Sequence, residues 1–215
     1  MVIEKSNFII YYDEELSYIP EVVEYLELRM DEIMSFFKLD SLSSKKKIIV
    51  YNDLELYKRH IEKFYQYQDY MRADTNDGNI NLLSVEAAHN TKEHSQMTVD
   101  ELKSTILHEF VHICQQEAQK ETIDNEIIWF WEALATNLGN PEKFSKILIT
   151  ATNDEINNFI FLPYNYPIAF TIGNYILENY TNEEILEYVK YPTKLLNDSE
   201  LILNDARRWS NSKRL

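Results

Sequence analysis

Residues 108–112 read HEFVH, and the types and spacing of these residues could bind a metal ion. His108 and His112 are four positions apart, so on an α-helix both rings project from one face and can reach the same ion. Glu109 projects from a neighbouring part of the helix surface, where its carboxylate could take a proton from water that the metal activates. The alternative is two core histidines that hydrogen-bond to carbonyl groups, which is the commoner meaning of a His-x-x-x-His pair without the glutamate.

A helix must carry this motif, and the sequence predicts one from Thr98 to about Lys120. Thr98 and Glu101 form the T-x-x-E pattern of a capping box, and neither Gly nor Pro interrupts the apolar run that follows. Because an unpaired buried polar group costs about 1–3 kcal/mol, polar residues on this helix need partners, which a metal site in a cleft would supply. They form a stripe at steps of three and four: Glu101, Thr105, His108, His112, Gln115 and Gln119.

A catalytic zinc ion usually has three protein ligands and one position left for water, so a third ligand is needed. Glu132 is the candidate, since it lies among aromatic and apolar residues in the segment WFWEALA at 129–135. Asn125 and Glu126, followed by this run and by the stop signals around Pro141, predict a second buried helix. A buried carboxylate is costly unless it is paired, and a metal bond would satisfy it. The alternative is a surface glutamate on an amphipathic helix.

The two segments together resemble the gluzincin metallopeptidases, the glutamate-ligand branch of the zincin peptidases. In that family HExxH is followed by W-x-x-E-G-x-A, and here residues 129–135 differ from this pattern by Ala133 in place of Gly. The resemblance implies three zinc ligands and a general base for peptide hydrolysis: His108, His112 and Glu132 as the ligands, and Glu109 as the base.

A third segment, YPIAFTIGNYI at residues 166–176, is similar to the helix that carries the transition-state tyrosine in gluzincin aminopeptidases. Ala169 stands where Gly is usual in that helix. The resemblance implies that Tyr166 donates a hydrogen bond to the oxyanion that forms during hydrolysis. Tyr164, two residues earlier, is an alternative donor.

Two positions depart from the family pattern. Some gluzincins have an aspartate four residues after the ligand glutamate, where it orients a ligand histidine, but this chain has Thr136 there. The chain also lacks the G-x-M-E-N pattern that recognises a free amino terminus, because the segment GNIN at 78–81 has no glutamate. An endopeptidase or oligopeptidase is therefore slightly favoured over an aminopeptidase.

The expected architecture is an α+β zincin-like fold with a small, mostly antiparallel sheet, the HExxH helix and a helical C-terminal half. Residues 1–120 would form the α/β half and residues 121–215 the helical half that supplies Glu132 and Tyr166, within one compact catalytic unit. Strands are predicted at Phe8–Tyr12, Ile48–Tyr51 and Ile80–Val85. Helices are predicted at Pro20–Lys38, after a cap at Asn52, and at Lys143–Ala151, Tyr166–Asn179, Thr181–Val189 and Ser199–Trp209.

The strand before the motif helix has a further implied role. In gluzincins such a strand forms the edge of the cleft, so the resemblance implies that residues 79–84 pair with an extended substrate by strand addition. The alternative is an ordinary hairpin strand.

Composition limits the classes of partner. A net charge of −15, from 21 Lys and Arg against 36 Asp and Glu, disfavours nucleic acid and anionic membrane surfaces. The family resemblance implies a peptide or protein substrate. The single cysteine, Cys114, excludes an intramolecular disulfide and is predicted to be a buried thiol. Residues 1–7 lack a secretory apolar region, and no run of about 18 apolar residues is present, so a cytoplasmic protein is expected.

Two other functions stay open at the level of sequence. One is a non-catalytic binding module on a zincin scaffold, which would retain the fold without a productive cleft. The other is a regulatory protease that cuts a single protein target, which differs from a general peptidase in substrate rather than in chemistry.

Overall fold

A computed structural model describes residues 1–122 and 127–212 of the chain. It divides into two compact units, Met1–Ile113 and Cys114–Leu215. The sequence-based division at residue 120 follows the end of the motif helix, whereas the structural division falls within that helix. None of the helices in the described ranges is both long and apolar enough to cross a membrane.

The first unit contains a five-stranded sheet in the order β1-β2-β3-β5-β4. The sheet and the helices of the described ranges make the protein a mixed α+β structure, as the sequence predicts. The strands are β1 (Val2–Glu4), β2 (Phe8–Tyr11), β3 (Lys46–Tyr51), β4 (Ala73–Asp74) and β5 (Ile80–Leu83).

The expectation of a mostly antiparallel sheet is wrong. The central pairs β2–β3 and β3–β5 are parallel, and only the outer pairs β1–β2 and β4–β5 are antiparallel. Parallel neighbours need long crossover connections, usually helical. Helix α1 (Ile19–Phe36) lies in the connection between β2 and β3, and helix α2 (Leu54–Ile61) lies between β3 and β5. Helix α1 confirms the amphipathic helix predicted at Pro20–Lys38.

Strand β5 is not an edge of the sheet. It lies between β3 and β4, and β4 pairs Ala73 with Leu82 and Asp74 with Asn81. The Leu83 N–H also donates to the Arg72 carbonyl at 3.0 Å. All four residues of β5 are buried, which is typical of a strand covered on both faces. The expected pairing of a substrate along residues 79–84 is therefore wrong for the covered positions, because β4 already uses that edge.

Local side chains set the limits of the helices around this sheet. Asp53, rather than the predicted Asn52, caps α2 by accepting hydrogen bonds from the N–H groups of Glu55 (2.8 Å) and Leu56 (3.0 Å). Asn52 instead accepts a hydrogen bond from Ser84 Oγ at 2.9 Å. Ser84 ends β5 and caps the short helix α3 (Val85–Ala88), so the predicted strand stops at Leu83. Helix α4 (Val99–Ala118) follows and carries the motif.

The second unit is helical in its described ranges. Capping boxes T-x-x-E begin two of its helices, at Thr152 and at Thr181, and only the second was predicted. Residues 125–126, which were expected to begin the second buried helix, lie outside the described residues. The elements after α4 are α5 (Ile128–Gly139), α6 (Asn153–Asn157), a 3₁₀ turn (Phe159–Phe161), α7 (Asn165–Asn179), α8 (Asn182–Lys190) and α9 (Pro192–Ser212).

The helix predicted at Lys143–Ala151 is wrong. Residues 144–150 have no regular secondary structure. The Ile147 N–H donates to Thr171 Oγ1 at 2.9 Å, and the Ile149 N–H donates to Ser210 Oγ at 3.2 Å. Side chains of α7 and α9 thus accept hydrogen bonds from backbone N–H groups that would bond to backbone carbonyls if this segment were helical.

Candidate metal centre

Helix α4 begins where the capping box places it. The Thr98 N–H donates to Glu101 Oε2 at 3.0 Å, and the Glu101 N–H donates to Thr98 Oγ1 at 3.2 Å. Phe110 and Val111 within the motif are fully buried, and Cys114 is a buried free thiol, as predicted. The reciprocal cap fixes the first turn, and apolar burial holds the motif turn, so the orientation of the motif residues is set by the helix itself.

The two histidines of the motif converge on one point of the α4 surface. His108 Nε2 and His112 Nε2 lie 3.2 Å apart, and the ring centroids lie 4.8 Å apart with an interplanar angle of 83°. Both side chains are half-buried. The predicted geometry of residues four apart on one helical face is therefore present.

Glu132 lies in the second turn of α5. It is half-buried beside fully buried Ala133 and Leu134, so it is not a freely solvated surface glutamate. Its carboxylate and the two imidazoles offer ligand atoms that all lie within 4.8 Å of one another. Within the described ranges, no other group of three or more His, Cys, Asp or Glu side chains meets this condition.

Gln115 fixes the last turn of α4 against α5. Its Nε2 atom donates a hydrogen bond to the carbonyl oxygen of Trp131 at 3.0 Å, and the side chain is buried. Trp131 immediately precedes Glu132, and Gln115 lies one turn after His112. The sequence placed Gln115 in the polar stripe of α4, and the structure provides its partner.

Helix α7 supports α5 from behind. Asn137 Nδ2 donates to the carbonyls of Ala133 (2.8 Å) and Phe170 (3.0 Å), and Asn174 Nδ2 donates to Asn137 Oδ1 at 2.6 Å. A Cβ atom at Gly173 would lie 2.3 Å from the Ala133 oxygen, far inside contact distance. The glycine therefore allows the two helices to approach closely next to Glu132.

Thr136, which occupies the position of the family aspartate, uses its hydroxyl proton within its own helix. Its hydroxyl donates to the Glu132 carbonyl at 2.7 Å, within the same helix. A buried threonine that bonds to a preceding carbonyl is a common way to satisfy its hydroxyl inside a helix.

The donor set fits a zinc ion. Zinc–nitrogen bonds of about 2.0–2.1 Å in tetrahedral geometry place two nitrogen ligands about 3.3 Å apart. The observed Nε2–Nε2 separation of 3.2 Å is close to that edge length. Two imidazoles and one carboxylate are also a ligand set that catalytic zinc sites use, and they leave a fourth position open.

The tyrosines implied by the family resemblance lie along α7 and before it. The Tyr166 ring stacks on Phe144 with centroids 6.1 Å apart, and 41% of the residue is exposed. Tyr164 is 77% exposed and has a left-handed backbone with φ of 56°. Gly173, which lies against Ala133, is two turns beyond Tyr166, or about 10 Å along the helix axis. The role of Tyr166 as a donor stays a prediction.

Two tyrosines that the sequence did not single out have raised pKa values. Burial raises the pKa of Tyr57, and the charges of Asp74 and Glu109 raise it further. Burial also raises the pKa of Tyr65, the hydrogen bond from Asn76 opposes the rise, and the same two carboxylates raise the pKa further. Both phenols are therefore protonated donors at neutral pH. No spacing rule marks them among the 15 tyrosines of the chain.

Comparison with known proteins assigns the chain to no family. It matches none of the protein-family models, and it has no significant match among the curated proteins. The case for the site therefore depends on the donor atoms and helices described above.

Proposed function

We propose that the protein is a zinc-dependent peptidase with a zincin-like fold, which hydrolyses peptide bonds by activated water. The observation that carries this proposal is that the ligand atoms of His108, His112 and Glu132 lie within 4.8 Å of one another. Glu109 lies on α4 between the two histidines. The order of elements supports the proposed fold, because a sheet precedes the motif helix and a second helix carries the glutamate.

His108, His112 and Glu132 would hold the metal. Two imidazole nitrogens and one carboxylate favour zinc over calcium or magnesium, which prefer sites built from oxygen ligands. A bound zinc ion supplies Lewis acidity, which lowers the pKa of water and polarises a carbonyl group.

Glu109 would perform the proton transfers. Its carboxylate takes a proton from the water molecule as the water oxygen bonds to the carbonyl carbon. It then gives that proton to the nitrogen as the carbon–nitrogen bond breaks, so the products are a carboxylic acid and an amine. No side chain forms a covalent bond with the substrate in this sequence of steps.

The position of β5 bears on the choice of substrate. Because β4 covers β5, general recognition of extended peptides along that strand is not supported. This observation favours the narrower of the peptidase functions, a protease with one or few protein targets, over a peptidase of broad range.

Metal content is the first test. Wild-type protein reconstituted with zinc should contain about one zinc ion per chain by elemental mass spectrometry, and Glu132→Ala and His112→Ala should lose it or bind it much more weakly. Absence of zinc from the wild type after reconstitution would overturn the proposal.

Digestion of a peptide library, analysed by mass spectrometry, is the second test. Cleavage by zinc-loaded wild type and its loss in Glu109→Gln supports a peptidase. Bound zinc without cleavage of the library or of any cellular protein in an extract would leave the non-catalytic binding module as the function.

A further inference from the structure

The hairpin between β4 and β5 carries a dense group of side-chain oxygens. Residues 74–81 read DTNDGNIN, and most of these positions are Asp or Asn. Gly78 has a φ of 73°, a backbone conformation that suits glycine, and its N–H donates to the Thr75 carbonyl at 2.9 Å. This turn brings Asp77 next to Asn81, whose Nδ2 donates to Asp77 Oδ1 at 3.0 Å.

Two oxygen atoms of this hairpin are buried without a hydrogen-bond partner in the described ranges of the chain: Asp74 Oδ2 and Asn81 Oδ1. Asp74 is 5% exposed, and Asn81 is fully buried. The two residues are paired across β4 and β5, so their side chains share one face of the sheet, with Cβ atoms about 4.5–5.5 Å apart. Leaving buried acceptors unpaired is costly, so the pair indicates a ligand that both oxygens bind.

Within the described ranges, the hydrogen bonds of the two carboxylates end on one oxygen of each group. Asp74 Oδ1 accepts from the N–H and the Nδ2 of Asn76, at 3.1 and 3.2 Å. Asp77 Oδ1 accepts from the Asn79 N–H at 3.0 Å. His60 Nε2 lies 3.4 Å from each Asp74 oxygen, which is beyond the length of a strong charge-assisted bond. The Oδ2 atoms of both carboxylates are thus available to a positively charged ligand.

The donor atoms determine which cation fits. Calcium binds carboxylate and amide oxygens at about 2.3–2.6 Å, tolerates irregular geometry and completes its shell with water. Magnesium needs a nearly ideal octahedron, and zinc prefers nitrogen and sulfur ligands. His60 and Asp74 are not joined by a third His, Cys, Asp or Glu ligand atom within 4.8 Å in the described ranges, so a zinc-type ligand set is absent there. The oxygens of the hairpin therefore favour calcium.

We propose that the β4–β5 hairpin binds a calcium ion through Asp74 Oδ2, Asn81 Oδ1 and the Asp77 carboxylate, with water in the remaining positions. The ion neutralises two carboxylates and joins the buried strand pair to the exposed turn. It also keeps Asp74 ionised, whereas burial raises the pKa of this carboxyl in metal-free protein. The proposal does not depend on the peptidase function, because it shares no ligand with the candidate metal centre.

The first experiment titrates calcium chloride into the full chain after treatment with zinc and is interpreted whatever the zinc content. Calorimetry should give one calcium ion per chain with a Kd between about 10⁻⁵ and 10⁻³ M. Calcium chloride at about 10 mM should raise the Tm by about 5 °C, and magnesium chloride should raise it much less. Absence of both binding and a Tm shift would overturn the proposal and leave water as the partner of the two oxygens.

A matched pair of variants tests the ligands. Asp77→Asn removes one charge at an exposed position, keeps the acceptor for the Asn79 N–H and should weaken calcium binding by about tenfold or more. Asp13→Asn, the same change at an exposed aspartate of the first unit, should keep the wild-type Kd. Asp74→Asn should resemble Asp77→Asn. Equal Kd values for wild type and Asp77→Asn, or equal losses in Asp77→Asn and Asp13→Asn, would overturn the proposal.

Glycine labelling locates the ion. The chain has three glycines, so ¹⁵N-glycine gives a simple amide spectrum in which Gly78→Ala identifies the Gly78 signal. Calcium chloride should move the Gly78 signal, because this residue follows Asp77, and should leave Gly139 and Gly173 unchanged. Movement of Gly139 or Gly173 without Gly78 would place the ion elsewhere and overturn the proposal.

Discussion

Gln115 donates a hydrogen bond to the carbonyl oxygen of Trp131, the residue before Glu132, at 3.0 Å. This bond joins the last turn of α4 to the turn of α5 that carries the third candidate ligand. Gln115 is not one of the candidate metal ligands, yet its hydrogen bond helps to fix the spacing of α4 and α5, the two helices that carry them.

Gln115→Ala should weaken zinc binding. The change leaves the Trp131 carbonyl without this donor and frees α5 next to Glu132, and loss of such supporting contacts typically lowers metal affinity by about 10–100-fold. Competition with a fluorescent chelator measures the affinity. Gln119→Ala is the matched control. Gln119 is a half-buried glutamine one turn after Gln115, and this variant should bind zinc as wild type does. Equal affinities for the two variants would contradict the role of Gln115.

Glu109→Gln should abolish turnover and retain zinc. The amide has nearly the shape of the carboxylate but cannot accept the proton of the attacking water. Zinc content and kcat, measured on the same preparation, check the two halves of this prediction. Retention of more than about a tenth of the wild-type kcat would remove Glu109 from the role of base.

Tyr166→Phe and Tyr164→Phe test the donor that the family resemblance implies. Tyr164→Phe should keep kcat within about threefold of wild type, since the resemblance assigns the donor to Tyr166. If Tyr166 is the donor, Tyr166→Phe should instead lower kcat by about 10²-fold. Steady-state kinetics of both variants on one fluorescent peptide decide which tyrosine is the donor.

Gly173→Ala should destabilise the second unit. A Cβ atom there would lie 2.1 Å from Asn137 Nδ2 and 2.3 Å from the Ala133 oxygen, so α5 and α7 must separate. Such overpacking costs about 1–3 kcal/mol, which urea unfolding can measure. Gly78→Ala is an informative comparison. Gly78 has a φ of 73°, but a Cβ atom added there would have no other atom within 4 Å. That variant should lose stability through its backbone alone and keep its zinc affinity.

Asp74→Asn should change the pH dependence of unfolding. Burial raises the pKa of Asp74 above its ordinary value of 3.8 in the folded protein, although hydrogen bonds and His60 oppose the increase. A carboxyl with a raised folded-state pKa contributes stability at low pH that is lost as pH rises through that pKa. As pH rises above about 4, the variant should therefore lose less stability than wild type in urea titrations. A parallel loss in both proteins would show that Asp74 makes no net contribution.

The cluster of His108, His112 and Glu132 was predictable because its signals are local. Helical periodicity places His108 beside His112, and the aromatic neighbours of Glu132 mark it as a carboxylate removed from bulk water. The parallel pairing of β2 with β3 could also have been derived, since the helix predicted between these strands is a crossover connection.

Other features depend on contacts that sequence spacing does not reveal. The apolar pattern at 143–151 suits a helix, yet Ile147 and Ile149 donate to side chains 24 and 61 residues away. Tyr65 and Asn76 meet because β4 returns the chain to the end of α2, and neither residue belongs to a recognisable motif.

Three helices begin with capping boxes, at Thr98, Thr152 and Thr181, and these helix starts should form early in the folding of the chain. Each box needs only residues three positions apart, so these helix starts can form before distant segments meet. The sheet is different, because Phe8 must find Lys46 and Ile48 must find Ile80 across whole helical connections. Closing such loops has an entropic cost, so parallel pairing in the first unit should set the folding rate.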